Sequence, residues 1–330
     1  MRLIIDADPG NGIGGSDVDD GLAIGMAVRS PDVVLEAVTV VAGNVEVDQG
    51  VKGALAVLEA AGAADVPVHR GATRPLMQNP VPWRALLDAR REDPQALARW
   101  ADVLPVWSSL EEDPTPASQV LVETVDRNPG EITVLAIGPL TNLATAMLLD
   151  PEWPRKVKQV MWMGGAFNLP AILQELNAAY DPEATHLLLT SEAPMTVVPL
   201  DVTLWTYMHL DDVDTLEAAD TPLAHYLART VRPWVSWLAE RFGRDGCPLH
   251  DPLALAALLD PQCIRTRALS ADIELAGRLT RGRTVAWDTQ DDETLQVVVN
   301  LPEVRPVQIA HEVDNARFMP LLLDLLTRQA

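Results

Sequence analysis

Five aspartates, Asp6, Asp8, Asp17, Asp19 and Asp20, crowd the first twenty residues, and they constrain this chain more than anything else in it. Leu3, Ile4 and Ile5 form an apolar run without polar alternation, the pattern of a strand covered on both faces. Asp6 and Asp8 end that strand. Residues 9–15, with Pro9 and four glycines, can only be a loop. Asp17, Asp19 and Asp20 close the loop and open a helical segment over residues 21–28. Carboxylates gathered so closely repel one another. A divalent cation is the simplest remedy, and hard oxygen ligands select Ca²⁺ or Mg²⁺. Helix capping explains Asp17 or Asp19. It does not explain Asp6 and Asp8, because an unpaired charge at a buried strand end is costly. An EF-hand loop counted from Asp6 would need an oxygen ligand, Gly and Glu where Gly10, Asn11 and Asp17 stand. A phosphate-binding loop would need Lys-Ser/Thr after the glycines, and Ser16-Asp17 follow instead.

The rest of the chain repeats the strand pattern. Residues 33–41, 132–137, 157–163 and 195–200 are apolar runs separated by helical stretches. Strands alternating with helices predict an α/β fold: an open, mostly parallel, Rossmann-like sheet flanked by helices. Residues 216–239 and 252–259 read as helices. Short strands at 273–275, 284–286 and 295–300 predict a small β appendage near the C-terminus, and residues 301–326 return to a helix at their end. Residues 74–115, rich in Pro, Arg and Asp and carrying Trp83, Trp100 and Trp107, read as a lid-like insertion of loops and short helices. No linker or repeat is visible, so residues 1–330 are taken as one domain.

Charge narrows the partners. Lys+Arg 25 against Asp+Glu 47 gives a net charge of −22, which argues against nucleic-acid or anionic-membrane binding. The two cysteines, Cys247 and Cys263, suggest no disulfide framework. No basic, signal-type apolar segment precedes Leu3, and a soluble cytoplasmic protein is the expectation.

In open α/β sheets, ligands bind outside the carboxyl ends of the strands. Here those ends carry Asp6 and Asp8, Asn44, Gly138, Gly164 and Asp201. Farther on, His250-Asp251-Pro252 precedes an apolar helix. Asp251 reads as its N-cap and Pro252 as its first residue, a role compatible with metal binding.

These residues together resemble the inosine-uridine-type nucleoside hydrolase family. Its signature is an Asp-x-Asp-Pro-Gly strand end and a later Asp-Asp pair, here Asp6-Ala-Asp8-Pro-Gly and Asp19-Asp20, separated by residues 11–18. The segments VVAGN at 40–44, ITVLAIGPLTN at 132–142, MGG at 163–165, ELN at 175–177, DPEA at 181–184, PLDVT at 199–203 and His250-Asp251 continue the match in order. The resemblance implies hydrolysis of the N-glycosidic bond of a small-molecule ribonucleoside to free base and ribose. It implies Ca²⁺ held by Asp8, Asp20, Asp251 and the backbone carbonyl of Ile137, with Asp8 also the general base. Asp19, Asn44, Asn168, Glu175 and Asn177 would bind ribose hydroxyls, and the family's habit implies a homodimer or homotetramer. Elementary chemistry asks for the same parts. An oxocarbenium-like transition state needs an activated water, a stabilising negative field and a neutralised leaving group. His250 is the candidate acid for that last task.

The chain departs from the family pattern near the base. No histidine follows Gly71-Ala-Thr-Arg-Pro75, and the segment between Gly165 and Glu175 is short and lacks a Gly-Asn pair. Trp234 and Trp237 have two readings, as stacking partners for a nucleobase, with Trp234 ahead, or as core. An atypical or pyrimidine-only ribosyl substrate, and a non-catalytic nucleoside-binding homologue, are the alternatives to the leading function.

Overall fold

The computed structural model describes residues 1–103, 108–288 and 304–329. Its strands are β1 (Arg2–Ala7), β2 (Val34–Val40), β3 (Val68–Arg70), β4 (Ile132–Ala136), β5 (Gln159–Met163), β6 (Met195–Val198), β7 (Tyr207–Met208), β8 (Cys247–Pro248), β9 (Ile264–Ile273), β10 (Thr284–Trp287) and β11 (Val307–Val313). Nine of these form one sheet in the order β3-β2-β1-β4-β5-β6-β11-β9-β10, and β7 pairs with β8 alone. From β3 to β11 every neighbour is parallel; β9 and β10 run antiparallel at the edge.

β1 lies inside the sheet, between β2 and β4, and its apolar residues are covered on both faces. Leu3 and Ile5 join the core that packs against helices Asp19–Arg29, Val47–Ala60, Pro222–Phe242 and Asp251–Leu259. Ile4 joins the opposite core, under helices Ala117–Arg127, Thr141–Leu149 and Pro182–Leu189, with Trp153 and Trp162. The strand's period of two thus feeds both layers, and each fully buried Leu or Ile contributes roughly 1.5–3 kcal/mol. The register sets Asp6 beside Thr39 of β2 and Ala136 of β4, so these strands end together.

Three details differ from the sequence expectations. The antiparallel C-terminal strands extend the main sheet through β11, which lies between β6 and β9. β11 escaped notice within residues 301–326 because only one face is covered: Val307 and Ile309 are buried while Gln308 between them is exposed. The expected strand at 295–300 and Trp107 lie outside the described residues. Residues 216–239 are not one helix but parts of two, Leu210–Ala218 and Pro222–Phe242. Thr221 breaks them, its hydroxyl accepting the Ala224 N–H ahead of Pro222 in the first turn. The insertion contains helices Val81–Arg91 and Pro94–Trp100. No described helix is long and apolar enough to cross a membrane.

Candidate active site

The ends of β2, β4 and β5 open onto a cleft of about 620 Å³, to which they bring Asn44, Ile137 and Met163. Asp8, just past β1, is fully buried beneath it. One carboxylate oxygen of Asp8, Oδ2, accepts the Asn44 N–H at 2.5 Å. The other, Oδ1, has no hydrogen-bond partner among the described residues. Its backbone N–H donates to Asp20 Oδ1 at 3.0 Å. Gly43 makes this arrangement possible, since a Cβ there would stand 1.9 Å from Asp8 Oδ2.

Helix Asp19–Arg29 carries Asp19 and Asp20 in its first turn, and helix Asp251–Leu259 begins with Asp251. One carboxylate oxygen from each of these three lies within 4.8 Å of the others, and all three side chains are buried. Capping does not account for them. Val18 and His250 hold the two N-cap positions, without side-chain caps, so Asp251 is a first helical residue rather than the cap. Burial pushes every carboxyl here upward: Asp8 to about 8, Asp20 and Asp251 well above their ordinary range, with neighbouring aspartates adding to the effect. Such a cluster stores repulsion that a cation relieves. The donors are all oxygen, the chemistry of a hard divalent ion, and the orphaned Oδ1 of Asp8 adds a further available oxygen. Asp6 is employed otherwise. Its Oδ1 accepts from Thr39 Oγ1 and Asn142 Nδ2, tying β1 to β2 and to helix Thr141–Leu149.

The remaining residues singled out from sequence fall into two groups. Asn44, Asp19, Glu175, Asn177, Ile137, His250 and Asp251 all line the cleft. Asp19 Oδ2 accepts the N–H groups of both His250 and Asp251. Asn44 Nδ2 reaches Asp20 Oδ2 at 3.4 Å. Asn177 Nδ2 donates to the carbonyls of Ile137 and Met163, each at 3.1 Å. Glu175 caps helix Leu176–Tyr180, accepting from the amides of Asn177 and Ala178, and also from Gly165. His250 Nδ1 meets Thr203 Oγ1 at 2.7 Å, and burial pushes its imidazole below the ordinary value. The second group stands apart. Asn168 is exposed, and its N–H, like that of Phe167, donates to Asp201. Trp234 is buried in the core, stacked on Trp237 with ring centroids 5.1 Å apart.

Sequence reasoning weighed Asp17 only as a helix cap and assigned no site role to Trp83, Leu86, Leu87 or Arg90, yet all five line the cleft. Asp17 was visible as part of the acidic run. The other four share one face of helix Val81–Arg91, an i, i+3, i+4, i+7 stripe that could have been found by its spacing.

Comparison with known proteins bears on what this cleft does. The model of the family described as inosine-uridine preferring nucleoside hydrolase matches residues 3–320. The pyrimidine-specific ribonucleoside hydrolase RihA of Enterobacter sp. (strain 638) is 31% identical, over 99% of this chain and 98% of that protein. A plant nucleoside hydrolase, PpNRh1, superposes with a TM-score of 0.84 at 29% identity, covering 99% of both chains. A purine-preferring ribonucleoside hydrolase from Gardnerella vaginalis gives a TM-score of 0.81 at 27% identity, covering 99% of this chain and 98% of that one.

Proposed function

The chain belongs to the inosine-uridine preferring nucleoside hydrolase family and hydrolyses the N-glycosidic bond of ribonucleosides, and on that premise we propose how its cleft performs the reaction. Asp8, Asp20, Asp251 and the Ile137 carbonyl would hold one Ca²⁺. The observation that carries this is the meeting of the buried carboxylates of Asp19, Asp20 and Asp251 within 4.8 Å, with Asp8 tied to Asp20 through its backbone N–H. A divalent cation in such a site lowers the pKa of water and polarises hydroxyls. Asn177 steadies the Ile137 carbonyl, and Asp19 steadies Asp251.

Asp8 takes a proton from the attacking water. Asp19, Asn44, Glu175 and Asn177 meet the ribose hydroxyls. The surrounding carboxylates stabilise the positive charge growing on the sugar. When Thr203 donates to Nδ1 of His250, the ring proton resides on Nε2, and His250 would give it to the base departing in the cleft it lines. Water attack opposite the base inverts the anomeric carbon.

Asp8→Ala tests the assignment. Release of reducing sugar should fall by about 10³-fold or more, at the upper part of the range for a general base, with the fold retained. Near-normal turnover would remove Asp8 from the mechanism. A narrower, pyrimidine-only or atypical substrate is the second reading, favoured by a cleft wall of Trp83, Leu86, Leu87 and Arg90 without histidine. We also take residues 1–330 as one domain, resident in the cytoplasm and assembled as a homodimer or homotetramer; fractionation and sedimentation test these last two points.

A further inference from the structure

Helix Val81–Arg91 turns Trp83, Leu86, Leu87 and Arg90 toward the cleft. Its adjoining face is anchored. Arg84 donates to the carbonyls of Gly43 at 2.7 Å and Asn44 at 3.2 Å, and Asp88 accepts from both Arg84 and Arg91. Trp83 is fixed as well, its indole N–H donating to the Ala179 carbonyl at 3.2 Å. Arg90 differs from all of these. Its guanidinium has no hydrogen bond or ion pair among the described residues, and it is the only lysine or arginine lining the cleft there.

A second contact seats the Arg90 backbone against the glycine loop. Gly15 adopts φ +75°, and a Cβ on it would lie 2.6 Å from the Arg90 carbonyl, so the glycine loop and this helix pack backbone to backbone. Two residues on, Asp17 lines the same cleft. Arg90 and His250 line the same cleft, and on the reading above the leaving base belongs in it. Ala171, Ile172 and Leu173 supply a further, apolar stretch of lining.

Resting on the hydrolase reading above, we propose that Arg90 is a specificity-determining residue that donates to a ring carbonyl oxygen of the nucleobase. A guanidinium has only N–H donors. It pairs with an oxo group and is left facing another donor when an amino group replaces it. In the reaction, water adds its oxygen to C1′, its proton passes to Asp8, and the C1′–N electron pair goes to the base. The negative charge that then spreads onto the ring oxygen strengthens the Arg90 contact in the transition state.

The test compares kcat/KM for inosine with adenosine and for uridine with cytidine, each pair differing by an oxo or an amino group. p-Nitrophenyl ribofuranoside serves as a substrate without a nucleobase. Arg90→Met is measured beside Arg91→Met, which removes the same charge from outside the cleft. Arg90→Met should cost the oxo member of a pair about 30-fold or more, the size of a hydrogen bond to a charged group, and leave the amino member, the aryl riboside and every Arg91→Met rate within about threefold. Equal losses on all substrates would mean that Arg90 only offsets the acidic floor, and would overturn the proposal. So would an unchanged oxo-to-amino ratio. No turnover of any nucleoside by the native protein would instead overturn the hydrolase reading, and this proposal with it.

Discussion

Asp19 Oδ2 accepts the backbone N–H of His250 at 2.7 Å, and that of Asp251 at 3.0 Å, joining two helix starts that are more than 230 residues apart in sequence. One carboxylate thereby sets both the candidate acid and a candidate ligand. Asp19→Ala leaves two buried N–H groups without partners, at roughly 1–3 kcal/mol each. Cation affinity, read by calorimetric titration with Ca²⁺, should weaken about 10–100-fold, as when a residue orienting a metal ligand is lost. Unchanged affinity would contradict this role.

The acidic cluster makes stability depend on pH in a direction opposite to the usual one. Burial raises the carboxyls of Asp6 and Asp17 to about 7 and that of Asp8 to about 8, from an ordinary 3.8. A raised acid stabilises the fold below its unfolded value, and that contribution is lost as pH climbs through the folded value. In chelator, the melting temperature should fall as pH rises from about 4 to about 8. Saturating Ca²⁺ should flatten the slope, because the ion favours the charged form. A melting temperature that climbs with pH in chelator would contradict the burial of these groups.

Arg84 latches the helix over the cleft to the end of β2. Its guanidinium binds the Gly43 and Asn44 carbonyls, while the Asn44 N–H is held by Asp8. Arg84→Gln should lower kcat/KM about 10–100-fold, chiefly through KM, because charged hydrogen bonds of this kind contribute about 1.5–3 kcal/mol. The melting temperature should move by only a few degrees. Steady-state kinetics at saturating cation reads the split, and an unaltered KM would show that the latch is idle.

Trp234 and Trp83 should behave as opposites. Trp234 is buried and stacked on Trp237. Trp234→Ala should cost about 3–5 kcal/mol in denaturant unfolding, without altering the ranking of nucleosides. Trp83→Ala, at the cleft wall, should alter KM and cost less stability than Trp234→Ala. A changed ranking in the Trp234 variant would return that residue to the substrate.

What sequence alone revealed follows from which forces are local. β1 was legible because a strand covered on both faces must be apolar throughout, and the strand-end rule brought Asp8 and Asn44 to one place, while Ile137 came from the family resemblance. β11 was not, because a strand with one open face alternates and blends into its surroundings. Asn168 shows the limit of motif spacing: in a shortened segment it stands on an exposed turn beside Asp201. Trp234 and Trp237 have spacing that serves core and binding site equally, and only packing separates these. The cleft roles of Trp83 and Arg90 depend on how helix Val81–Arg91 is rotated. That rotation is set by contacts distant in sequence, from Arg84 to Gly43 and from Gly15 to the Arg90 backbone.

The most direct measurement is electron density from a crystal grown with Ca²⁺. The proposal predicts a single ion with about 6–8 oxygen ligands at roughly 2.3–2.6 Å, including Asp8, Asp20, Asp251 and the Ile137 carbonyl. An empty cluster at saturating Ca²⁺, or an ion bound elsewhere with Asp8 turned away from it, would contradict it.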